Sequence, residues 1–99
     1  MLTLKVVEFV YKDDEVIEEK VLLNQESELN TVPNSKESLI KIFQNNLLKL
    51  NIEDDGVDLP YVATIENDLA HVYQDVSYEI SDEGEEITKQ ISLTLSLEQ

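Results

Sequence analysis

"PYVATIENDLAHVYQD" occupies residues Pro60 to Asp75, and its reading decides how many helices the fold contains. Tyr61, Ile65, Leu69, Val72, Tyr73 and, one residue beyond, Val76 recur at helical spacing and would form one apolar face. "YVATI" alone would also suit a strand, because Val, Thr and Ile are branched at Cβ and stiff in a helix. The longer periodic set carries more weight, so the stretch is read as a second helix. Residues 60–66 are the part where strand competes.

The flanking segments are clearer. "LTLKVVEFVY" at Leu2 to Tyr11 is rich in Val, Phe and Tyr and reads as a strand. Leu2, Leu4 and Val6 fall on one face while Val7 and Phe9 fall on the other, which predicts a bulge near Val6 and Val7 or cover on both sides. "KDDE" at Lys12 to Glu15 is a hairpin turn in which Asp side chains can bond nearby backbone. Val16 to Leu23 returns as a second strand. After the polar connector at 24–35, Asn34 and Glu37 have capping-box spacing. A helix from about Lys36 to Leu50 follows, with Leu39, Ile40, Phe43, Leu47 and Leu50 as its stripe and Asn51 as its stop.

At the C-terminal end, "VSYEI" alternates, "SDEGEE" at Ser81 to Glu86 turns the chain through Gly84, and "ITKQISLTLSL" alternates strictly. The expected architecture is α+β: a four-stranded antiparallel sheet made from two hairpins, packed by one or two helices in the order β-β-α-(α)-β-β. The 99 residues suit one domain.

Charge narrows the function. Twenty-two Asp and Glu face seven Lys, with no Arg, for a net charge of −15. Residues 1–50 hold nine acids and six Lys, whereas residues 51–99 hold thirteen acids and one Lys. Affinity for phosphate backbones comes from Lys and Arg releasing counterions, so direct binding to nucleic acid is excluded, as is an anionic membrane surface. The complementary partner is a basic surface. Solubility alone accounts for a net charge of about −5 to −8 in a small domain. The rest raises self-repulsion and implies use.

No catalytic, cofactor or metal pattern emerges. The loop "NIEDDGVDLPYV" imitates a calcium loop through Asn51, Glu53, Asp55 and Gly56. It fails at the twelfth position, where Val62 stands in place of the bidentate Glu. His71 is the sole histidine; on a helix it would share a face with Asp68 and Asp75, exposed, with its charged form favoured. The two glycines leave no phosphate loop, and the absence of Cys excludes disulfides. The four Tyr read as core-edge residues or interface anchors. "MLTLKVVEF" has no basic n-region before an apolar core, so no signal peptide is expected and the location is read as cytoplasmic.

The candidate partner-binding residues are the carboxylates of the turns and the central loop. These are Asp13, Asp14 and Glu15; Glu53, Asp54, Asp55 and Asp58; and Asp82, Glu83, Glu85 and Glu86. Alternate residues of an extended strand lie about 6.6 Å apart, close to two phosphate steps of about 3.4 Å along DNA. In size, acidity and lack of catalytic residues the chain resembles the DNA-mimic inhibitors of mobile elements, the anti-CRISPR and anti-restriction proteins. That resemblance rests on charge and is carried by no motif. It implies an inhibitor, from a phage or mobile element, that docks on the nucleic-acid-binding surface of a nuclease or similar protein. The other reading is a structural or adaptor domain that assembles, as a homodimer or with a larger partner, through an exposed edge at Ile91 to Leu97, whose outer face is uncharged.

Overall fold

The computed structural model describes residues 2–52 and 60–97. The element order is β1 (Thr3–Lys12), β2 (Glu15–Glu26), α1 (Lys36–Lys49), β3 (Val62–Ile65), β4 (Leu69–Ile80) and β5 (Glu86–Ser96). The five strands form one antiparallel sheet in the order β2-β1-β5-β4-β3. The α+β class and the antiparallel sheet follow the expectation; the sheet has five strands rather than four, and of the one or two helices expected the described residues form one.

The difference lies in residues 60–75, which form β3 and the first half of β4 rather than a helix. Buried positions on β4 are Ala70, Val72, Gln74 and Val76, a strict two-residue period. Two of these four are a small residue and a polar one, so a search for large apolar side chains passes over them. The chain turns at "ENDL", where Glu66 N–H donates to the Leu69 carbonyl at 2.7 Å. Asn and Asp in a short polar interruption are turn chemistry.

Helix α1 starts one residue later than the capping-box spacing implied. Ser35, not Asn34, is the cap: it is extended (φ −139°, ψ 148°), and its Oγ accepts from the Ser38 N–H at 3.2 Å. At the other end Asn51 takes φ 55°. Its N–H donates to Leu48 O at 3.2 Å, and the Ile52 N–H reaches back to Leu47 O at 3.0 Å. This paired closure satisfies the last carbonyls and favours a residue that tolerates the left-handed region, as Asn does.

The helix carries the chain from one edge of the sheet, β2, to the other, β3. Its inward residues Leu39, Phe43 and Leu47 pack on Leu4 and Val6 of β1, Leu93 and Leu95 of β5, and Ala70 and Val72 of β4. Phe43 meets Tyr61 edge-on, with centroids 5.8 Å apart and planes at 87°. Tyr61 O–H lies 3.0 Å from Gln44 Nε2, which donates to it. The expected bulge is present: the β1–β2 register shifts between Val6 and Val7, and again between Val10 and Tyr11. Val7 is buried on the opposite face from Leu4 and Val6.

Length decides what the helix can cover. Fourteen helical residues span about 21 Å, whereas the twelve residues of β4 span about 40 Å. The helix therefore roofs only the half of the sheet near Leu2, Leu95 and Ala70. Beyond Val76 and Ile91 the same face carries Glu8, Glu18, Lys20, Glu79 and Lys89, none of them buried. The molecule is elongated accordingly, 47 × 26 × 24 Å.

Removing the Phe43 ring leaves a void at the centre of the roofed half. Phe43→Ala should lower unfolding free energy by about 3–5 kcal/mol in urea melts. Ser35→Ala should cost about 1 kcal/mol. Leu48→Ala, at a position 75% exposed, should leave the midpoint unchanged.

Candidate functional site

Two acidic turns that are far apart in sequence meet at the unroofed end of the sheet. The β1–β5 ladder runs from Thr3 opposite Ser96 to Lys12 opposite Ile87. Its far end therefore sets the β1–β2 turn beside the β4–β5 turn. Asp13, Asp14 and Glu15 come from the first turn; Asp82, Glu83, Glu85 and Glu86 come from the second. All are exposed except Glu85, which is partly buried. Glu53, Asp54, Asp55 and Asp58 lie outside the described residues.

Each turn is built by its own residues. Asp13 (φ 50°) and Asp14 (φ 69°) both occupy the left-handed region. A two-residue hairpin with the strand's own twist demands this, and Asp tolerates it better than most residues. In the second turn Ser81 holds both ends: its N–H donates to Glu85 O at 2.8 Å, its carbonyl accepts from Gly84 N–H at 2.9 Å, and its Oγ accepts from Glu85 N–H at 3.1 Å. Gly84 sits at φ 82°, where a side chain would be strained.

Asp13 also clamps the turns together. Its N–H donates to Glu86 O at 2.9 Å and its Oδ1 accepts from Glu86 N–H at 3.0 Å. The side chain thus bonds the neighbouring turn rather than its own. Lys12 Nζ lies 2.8 Å from Glu85 Oε2. The Glu85 carboxylate, by hydrogen bond and charge, raises the Lys12 pKa above its usual value. Partial desolvation, followed by the Glu86 carboxylate and the charge of Asp13, raises that of the Tyr78 phenol. Three of the seven carboxylates therefore have local partners: Asp13 as clamp, Glu85 as ion-pair partner of Lys12, and Glu86 beside the Tyr78 phenol. Asp14, Glu15, Asp82 and Glu83 are exposed at the turns.

The spacing of alternate residues on an extended strand does not describe these carboxylates, because Asp13, Asp14, Asp82 and Glu83 lie in the turns themselves. The relevant separation runs across strands. Four strands at about 4.8 Å set the acidic end about 14 Å wide, roughly four phosphate steps.

Two further expectations change. His71 is on β4, opposite Thr94, and not on a helix face with Asp68 and Asp75. Its Nε2 lies 3.1 Å from Ser92 Oγ, and burial lowers its pKa below 6.5, opposite to the shift expected from flanking carboxylates. The strand Ile91 to Leu97 is not an edge: β5 is central, paired with β1 on one side and β4 on the other. Assembly through that segment is removed, because its backbone groups are already used. The sheet's edges are β2 and β3.

Among the described residues no group of three or more His, Cys, Asp and Glu is placed to hold a metal ion, and no helix is long and apolar enough to cross a membrane.

The clamp predicts a split between two substitutions. Asp13→Asn keeps an acceptor and a residue at home in the left-handed region, so it should melt at or above the parent temperature. Asp13→Ala loses both and should cost about 1–2 kcal/mol. For His71 the folded state favours the neutral ring, so its contribution to stability is complete above pH 6.5. That contribution is lost as pH falls through the lowered folded value. An NMR titration should place His71 below 6.5, and His71→Gln should flatten the stability loss that accompanies acidification below that value.

No known protein family, curated protein or solved structure matches this chain.

Proposed function

We propose that the protein is a non-catalytic acidic binding module that docks its charged sheet end on a basic surface of a nucleic-acid-handling protein, a nuclease or similar, in place of phosphates. This is the action of a DNA mimic of the anti-CRISPR or anti-restriction kind. The observation that carries the reading is the convergence of "KDDE" and "SDEGEE" at one end of the sheet, held by the Asp13–Glu86 clamp. Repulsion among these carboxylates opposes the packing that brings them together. A fold selected for stability alone would place Lys at such turns. Lys12 and Lys89 are the cations on β1 and β5 nearest this end, and Lys12 is already paired with Glu85.

Rigidity adds to the case. Charges fixed on hydrogen-bonded turns present a set pattern to a groove and lose little freedom on docking. Self-association is the weaker reading once β5 is central. The edges that remain are β3, only four residues long, and β2, where two register shifts and the exposed Glu18, Glu19 and Lys20 interrupt further strand pairing.

Neutralising Asp14, Glu15, Asp82 and Glu83 to Asn or Gln removes charge and spares both clamp and ion pair. The variant should fold at least as well as the parent. It should associate with its basic target at least tenfold more slowly, roughly the lower end of electrostatic steering. Stopped-flow association at several salt concentrations measures this, and the parent's salt dependence should shrink in the variant. Equal association rates for parent and variant would end the proposal. So would a gel shift of duplex DNA by the parent at physiological salt.

A further inference from the structure

Among the described residues nothing covers the face of the sheet opposite the helix, and that face is not uniformly polar. Along β1 it presents Phe9 and Tyr11, whose rings lie 6.3 Å apart; along β4 it presents His71 and Tyr73, 5.5 Å apart. Between them β5 contributes Gln90, Ser92 and Thr94. Smaller, polar side chains between two aromatic walls make a trough that runs parallel to the strands. One cross-strand row has a particular composition. Glu19, Phe9, Gln90 and Asp75 form one row across β2, β1, β5 and β4, so a partly exposed ring has a carboxylate beside it on β2 and a second one two strands away on β4, beyond Gln90. Gln90 Nε2 donates to Asp75 Oδ1 at 3.1 Å and fixes one of them.

We propose that this trough is a second docking site, for an extended, arginine-bearing segment of the basic partner. The proposal rests on the reading of the acidic end above and names the chemistry of the partner's contact. A guanidinium is planar and weakly hydrated, so it can stack on an aromatic ring while its N–H groups reach carboxylates beside it. Its methylene stem packs on the ring edges. Phe9 with Glu19 beside it offers that combination, and Asp75, beyond Gln90 in the same row, adds a second carboxylate for a neighbouring cation of the segment. A purely apolar partner would take the Glu19 and Asp75 carboxylates out of water with no cation to offset the loss. A second copy of this chain would bring −15 of like charge. Single-stranded nucleic acid, which also stacks on aromatic rings, is repelled by the same charge. Lys5 lies at the trough end remote from the acidic turns, so the attraction for a cation is strongest in the half that continues toward Asp82 and Glu83.

The test uses short peptides of alternating Arg and Ser, and of alternating Lys and Ser, titrated into the full-length 15N-labelled protein. The arginine peptide should bind at least about fivefold tighter than the lysine peptide, the weight of one stacked guanidinium. Its largest amide shifts should fall on Phe9, Tyr11, Tyr73, Gln90 and Ser92. The doubly substituted Phe9→Leu, Tyr73→Leu protein keeps apolar volume and should lose the arginine preference. Glu19→Gln with Asp75→Asn should weaken both peptides. Neutralising Asp14, Glu15, Asp82 and Glu83 should leave the arginine preference intact, so failure of the acidic-end reading and failure of the trough are told apart. Equal affinity for the two peptides, shifts confined to residues 13–15 and 81–86, or an arginine preference that survives loss of both rings overturns the trough.

Discussion

The β1–β5 ladder is the constraint on which the other features depend. It joins the first and last strands in ten consecutive antiparallel pairs and makes one sheet of two hairpin systems. Without it, β1–β2 would be an isolated ribbon, which is marginal in water. With it, Leu4 and Val6 meet Leu95 and Leu93, and the helix has a continuous surface to cover. The same register puts Lys12 opposite Ile87, so the two acidic turns become neighbours as a geometric consequence of building the core.

The sheet serves three purposes along its length. Near Leu2 it is a packing surface, roofed by α1 and closed by Leu39, Phe43 and Leu47. Toward the turns the roof ends because the helix is half as long as the strands. There the sheet acts as a lever that holds charges away from the core. On its reverse face, Val7 is buried while Phe9, Tyr11 and Tyr73 keep part of their surface, so that side is intermediate between core and solvent. The proposed contacts, at the end and on the reverse face, both use parts that helical packing leaves free.

Much of this was legible in the sequence where pattern and turn chemistry agreed. "KDDE" and "SDEGEE" fall where turns form, the double valine marks a bulge, and the helix stripe from Leu39 to Leu50 is found almost to the residue. Residues 60–75 were misread for a physical reason. Tyr61, Ile65, Leu69 and Val72 satisfy a helical period by coincidence, while the true inward set of β4 includes Ala70 and Gln74. Tertiary pairing with β5 settles a choice that local pattern leaves balanced. The meeting of the two turns could not be read locally at all, since the ladder that produces it is non-local. The trough was missed for the same reason. Phe9, Gln90 and Asp75 come from three strands, and His71 was assigned the wrong element and hence the wrong environment.

The ladder between the first and last strands also shapes how the molecule is made. Its pairs join opposite ends of the chain, so closing it requires nearly the whole sequence to be ordered and implies slow, topology-limited folding. During synthesis β5 follows the other four strands, and until it is made β1 has only β2 beside it. The clamp between Asp13 and Glu86 is therefore among the final contacts a nascent chain can form. A chain that stops short of β5 carries most of the negative charge but not its arrangement, and the two turns stand side by side only once β5 has paired with β1.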